Sequence, residues 1–286
     1  MKKIFKAIGK AALYFLSFLG IQVVVSFVSG IILSVRLMLE NGVDVVNEAQ
    51  YIESFTAKLT EYTTFITLIS NILALAIMWL FFKIRKRKLF GEIQLKKCSV
   101  KSIAAAGLFG IGFGVVLNAL ISIIPFSESM QNSFNDSYSA LSAGNAVISF
   151  ISVAVFAPIV EEVFFRGLIY TRLKSGMNKI AAAVISSLLF GVMHGEIIWM
   201  LTGFIAGLAL VWIFEKTKSL LGCIAVHMAN NTLSQLTAEI TEIPDWVSCI
   251  ILGIAVILLI GTVIYINSAQ KTNNEGLKIN PANTAS

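Results

Sequence analysis

Ala157-Pro-Ile-Val-Glu-Glu-Val-Phe-Phe-Arg-Gly-Leu-Ile-Tyr170 sets two adjacent carboxylates and an arginine inside an otherwise apolar run. The whole chain is only 13% charged, so three ionisable groups within six residues stand out. A charge at membrane depth costs at least a few kcal/mol, about 3 on insertion scales, and where it persists it marks a functional site by default. Whether this run lies in a membrane or in a soluble core decides the fold, and the flanking sequence answers that.

The 286 residues are 57% hydrophobic, with mean hydropathy +0.83. A soluble domain is roughly half apolar and about a quarter charged. Long uncharged runs occupy Ala11–Val35, Tyr62–Phe82, Ile103–Ile124 and Trp246–Asn267. Each reaches about 20 residues, enough to cross ~30 Å of hydrocarbon at ~1.5 Å per residue. The expected fold is therefore all-α, a polytopic integral membrane helical bundle of about eight transmembrane helices. The eight begin near Ala11, Tyr62, Ile103, Ala146, Ile180, Ile197, Ser219 and Trp246. Residues 1–102 form two N-terminal spans with a basic loop, and 103–267 a bundle whose core covers about 146–236. Residues 268–286 read as a polar, disordered tail.

The net charge of +6 follows topology. Lys2, Lys3, Lys6 and Lys10 precede the first run, and eight cations lie between Lys83 and Lys101 against Glu92 alone. Arg172, Lys174, Lys216 and Lys218 mark two further turns. Such enrichment labels cytoplasmic loops, so the partner is the lipid bilayer and no nucleic acid. The first run is too long for a signal-peptide h-region and reads as a retained anchor. Acidic or uncharged segments, Leu37–Glu61 and the Ser/Asn-rich loop Pro125–Asn145, belong on the other side. Both termini are expected in the cytoplasm of a multi-pass cell-membrane protein. Cys98, Cys223 and Cys249 lack paired spacing and read as packing thiols.

Three motifs carry the chemistry. In Glu161-Glu162-Val-Phe-Phe-Arg166, helical geometry lets Glu162 face Arg166 at i,i+4 while Glu161 points about 100° away. Phe190-Gly-Val-Met-His194 and His227-Met-Ala-Asn-Asn231 supply both histidines of the chain. His227 and Asn231 share a helix face, and an amide can donate to an oxyanion. Glu161 and His194 lie 33 positions apart, with their midpoint at the turn signal Gly176-Met-Asn178. An antiparallel hairpin folding there sets them at one height, roughly 24 Å from the turn. His227 starts about 13 Å past Lys218, so all three segments can meet. A carboxylate, two imidazoles and an amide around one point suit hydrolysis of an acyl bond by activated water.

At these residues the sequence resembles the CPBP intramembrane proteases, the CAAX-prenyl-protease-and-bacteriocin-processing or Abi family, whose ordered signature is E-E-x-x-x-R, F-x-x-x-H and H-x-x-x-N. All three motifs are intact, over about a third of the chain. The resemblance implies that Glu161 and His194 orient and deprotonate water, and that His227 and Asn231 stabilise the oxyanion. Glu162, Arg166 and Phe190 would support the site. The implied substrate is a membrane-associated protein or peptide, cut near the cytoplasmic side. Bacteriocin maturation, self-immunity and CAAX-type processing are the roles known in the family.

Cofactor use stays open at this level. Glu161, His194 and His227 could supply three ligands to zinc, leaving a fourth position for water, or work without metal as a glutamate/histidine site. A non-catalytic immunity or binding protein on the same fold is the alternative function. A small transporter would show inverted repeats and broken helices at matching positions, and the sequence has neither.

Overall fold

A computed structural model describes residues 1–41, 48–238, 240 and 242–279. Among these residues every regular element is helical. In chain order they are α1 (Lys2–Asn41), α2 (Glu48–Ile84), a single turn at Leu89–Glu92, α3 (Val100–Ser122) and α4 (Glu128–Ser142). There follow α5 (Ala146–Gly176), α6 (Lys179–Val192), α7 (Ile197–Thr217), α8 (Leu220–Thr237) and α9 (Asp245–Ile279).

Six of these, α1, α2, α3, α5, α7 and α9, are long and apolar enough to cross a membrane by length and composition. The expected count of eight is not reached on that measure. Helix α6 has 14 residues, about 21 Å, and α8 has 18 residues interrupted by His227, Asn230 and Asn231. Both pack in the bundle, where polar side chains find protein rather than lipid.

The polar segments between the spans are largely helical. Helices α1 and α2 have 40 and 37 residues, so they continue well past a ~30 Å hydrocarbon layer and take up most of Leu37–Glu61; residues 42–47 lie outside the described residues. Pro125–Asn145, expected as a loop, is mostly α4. Ser127 caps it by accepting from the Met130 amide at 3.4 Å, and Phe134 and Tyr138 dock its inner face. Phe134 meets Trp199 edge-on at 5.7 Å, and the Tyr138 hydroxyl donates to the Ser234 carbonyl at 3.1 Å. The polar tail expected from Ser268 lies in the last turns of α9 as far as Ile279, with 280–286 outside the described residues.

Helix α5 is the centre of the bundle. Every residue from Val163 to Tyr170 is buried, packed by α1, α2, α6, α7 and α8. Phe18 of α1 stacks on Phe164 at 4.7 Å. In lipid there is no hydrophobic force between helices, so close contact and hydrogen bonds must hold them. Glycines supply the close contact: a Cβ at Gly110 or Gly114 of α3 would collide with Val226 or Asn230 of α8, and one at Gly112 would lie 2.9 Å from the Ala255 carbonyl oxygen of α9. This stripe fixes the helix that carries His227. Between α1 and α2 the polar link is Gln22, which donates to Asn71 at 3.1 Å and accepts from Ser70.

The hairpin turn falls where Gly176-Met-Asn178 signalled it. Asn178 caps α6 by accepting from the Ala181 amide at 2.8 Å. The cationic segments gather at this end of the bundle. Arg87 and Arg172 both hold Glu92, Lys174, Lys179 and Lys218 hold Glu215, and Ser219 donates to the Lys96 carbonyl.

Candidate active site

Glu161 and Glu162 sit midway along α5, between two stretches wound as π-helix, Ile151–Phe156 and Val163–Tyr170. Such widened turns occur mostly as single-turn insertions, often at functional sites. The local cause of the first is Pro158. Its ring would clash with the carbonyl four residues back, and it has no N–H to donate. The widened turn before it relieves the clash: the Ala157 amide reaches back five residues to Ser152.

That winding re-aims the carboxylates. Glu162 accepts from Arg166 Nη1 at 2.9 Å, the i,i+4 pair the sequence predicted, with both side chains essentially inaccessible. The same oxygen, Oε1, also lies 3.0 Å from His227 Nδ1. An ionised carboxylate paired to arginine can only accept, so Nδ1 carries the hydrogen and Nε2 is left facing outward. At 3.7 Å from Nε2 stands Glu161 Oε2. One imidazole is thus held between the two neighbouring glutamates. Glu161 keeps 22% side-chain exposure while Glu162 has none; this separates a carboxylate that a substrate can reach from one that is sealed in.

The ionisable neighbour found beside Glu161 is His227, and the hydrogen bond found at His194 is to its own segment. His194 Nδ1 donates to the Phe190 carbonyl at 2.9 Å, which fixes its tautomer and leaves Nε2 with a lone pair. The ring fits against Gly203, where a Cβ would come within 3.2 Å of Nδ1. Phe190 joins the two histidines: its ring meets His194 at 5.0 Å and His227 at 5.7 Å, both edge-on. The Arg166 guanidinium lies 4.2 Å from the Phe190 centroid, so this phenylalanine touches all three motifs. Arg166 Nη2 also donates to the Gly207 carbonyl at 3.3 Å. Asn231 is engaged in the fold, its Nδ2 donating to the Val153 carbonyl at 2.9 Å.

Among the described residues no three His, Cys, Asp or Glu side chains are placed to hold a metal ion. With Nδ1 of His194 on the Phe190 carbonyl and that of His227 on Glu162, the nitrogen left free on each ring is Nε2. The residues that sequence reasoning passed over are Pro158 and Gly203. A proline three positions before Glu161 was the available signal for the first, since it disrupts regular winding. The need for space at Gly203 is set by a neighbouring helix and leaves no local trace.

A helical membrane protein with buried glutamates and histidines on three neighbouring helices is the class these features define. Residues 143–233 match a family model described as type II CAAX prenyl endopeptidase Rce1-like. Over 79 residues the chain is 30% identical to the Bacillus subtilis (strain 168) protein named "Putative membrane peptidase YdiL", covering 28% of this chain and 32% of that protein's length. No solved structure gives a significant match. The segment carrying the three motifs is thus similar to this endopeptidase family and to that protein.

Proposed function

We propose that the protein is an intramembrane endopeptidase that hydrolyses a peptide bond in a membrane-associated protein or peptide. The observation that carries this reading is His227 held between Glu161 and Glu162, with only Glu161 partly open. Glu161 takes the proton of an attacking water, and the free Nε2 of His194 helps to orient that water. Glu161 passes that proton to His227 Nε2, 3.7 Å away, and the imidazolium so formed, fixed through Nδ1 by Glu162, stabilises the developing oxyanion and gives the proton to the departing amine. Arg166 holds the Glu162 carboxylate in place through its Nη1 hydrogen bond, so that the imidazole does not turn. No step is assigned to a metal.

The matched family's name concerns prenylated CAAX substrates. For this chain the substrate class is proposed more broadly as a membrane-bound protein or peptide, with bacteriocin maturation, self-immunity and CAAX-type processing as its settings. The gathering of cationic turns at one end supports a topology with both termini cytoplasmic.

The test is cleavage of a candidate membrane peptide by the protein reconstituted in liposomes. Glu161→Gln, His194→Ala and His227→Ala should each lower the rate by at least about 100-fold, the scale of one general acid or base, with unchanged membrane insertion. Retained cleavage in any of the three removes that residue from the mechanism. Wild-type rates from all three would return the chain to a binding or immunity role.

A further inference from the structure

Asn231 is the one motif residue whose amide is turned into the fold. Its partner is a carbonyl with an unusual history. In an α-helix the Val153 carbonyl would accept from the residue 157 amide, but Ala157 donates to Ser152. In the π register that holds from Ile151 to Phe156, the next donor would be residue 158, and residue 158 is proline. The backbone of α5 therefore supplies Val153 with neither its α-type nor its π-type donor. Asn231 Nδ2 stands 2.9 Å from that oxygen. A carbonyl can only accept, which settles which end of the amide faces it. The other end, Oδ1, accepts from the neighbouring Asn230 Nδ2 at 3.3 Å, so the side chain is held from both sides.

We propose that Asn231 is a positioning residue: its amide gives the Val153 carbonyl the hydrogen bond that Pro158 cannot, and this pins α8 to the widened turn of α5. The consequence lies one turn away on α8 and two turns away on α5. Asn231 follows His227 by four residues, and Val153 precedes the Glu161-Glu162 pair by two turns, so the bond fixes the register in which His227 meets both glutamates. This deepens the endopeptidase reading and rests on it for its catalytic consequence. It differs from a direct role in which Asn231 donates to the reacting oxygen.

Pro158 makes the two roles separable. Replacing it by alanine restores an N–H beside Val153, so Pro158→Ala should compensate for loss of the asparagine. Asn231→Ala is expected to lower cleavage on the order of 10- to 100-fold and the melting temperature in detergent by about 2–4 °C. The double variant Asn231→Ala/Pro158→Ala should regain most of both. An unaltered melting temperature in Asn231→Ala overturns the proposal, and so does a double variant that melts like the single one. Recovery of melting without recovery of cleavage also overturns it, because the amide would then be acting on the reacting atoms. If Pro158→Ala alone does not accumulate, the melting of Asn231→Ala decides. Melting requires no substrate, so these readings hold even if no peptide is cleaved, which would count against the endopeptidase assignment alone.

Discussion

Two clusters of charge share α5 and behave as opposites. At the middle of α5, Glu162 and Arg166 with His227 of α8 are almost fully buried, and Glu162 Oε1 is the partner of both Arg166 and His227. At the hairpin end, Glu215 of α7 gathers Lys174, Lys179 and Lys218 and the Tyr170 hydroxyl at 3.0 Å. The first has a single carboxylate oxygen for both of its partners and is sealed from the surface; the second has three cations for one carboxylate and stays partly open to solvent. Redundancy at the surface makes a joint that tolerates loss. Absence of redundancy in the interior fixes an arrangement, because any vacancy leaves a desolvated charge. A site that must hold an imidazole in one orientation needs the second kind, and a turn that must only stay closed needs the first.

This contrast can be broken most severely at Arg166. Arg166→Met leaves the Glu162 carboxylate buried without its guanidinium, at a cost of about 3–5 kcal/mol. The folded fraction in detergent should collapse, and adding Glu162→Gln to the same chain should recover part of it. A single variant that melts like wild type would mean that the buried pair contributes nothing. At the hairpin end, Glu215→Gln keeps an acceptor for Tyr170 and loses the charge shared by three lysines. A loss of about 1–2 kcal/mol in chemical unfolding is expected, and the variant should still fold. A loss as large as that of Arg166→Met would erase the distinction between the clusters. The smallest effect belongs to Lys218→Ala, since its ammonium is more than half exposed and two lysines remain on Glu215. The expected change is within about 0.5 kcal/mol, and anything above 1 kcal/mol would show that the lysines act together.

Much of this was legible from the chain alone. The Glu162–Arg166 pair followed from i,i+4 spacing, and the hairpin closing at Asn178 from its turn residues. Helix α4 was missed because its Ser, Asn and Asp content reads as loop, although Met130, Phe134 and Tyr138 recur at four-residue intervals, and its capping Ser127 was in plain view. The contact of Glu161 with His227 was not legible in detail, because spacing read at 3.6 residues per turn leaves out the two widened turns of α5. Winding is set by a proline together with what neighbouring helices can offer its orphaned carbonyl, and only one of those is local.

The sequence by itself determined a helical membrane protein and the three motifs with the resemblance they carry, because apolar length and ordered spacing are properties of a single strand of text. The tertiary structure decided which groups meet: His227 between both glutamates, Phe190 touching all three motifs, and Asn231 on Val153. Those contacts depend on the π-wound turns and the glycine-lined approach of α3 to α8, where a change of one residue in register swings a side chain by about 100°.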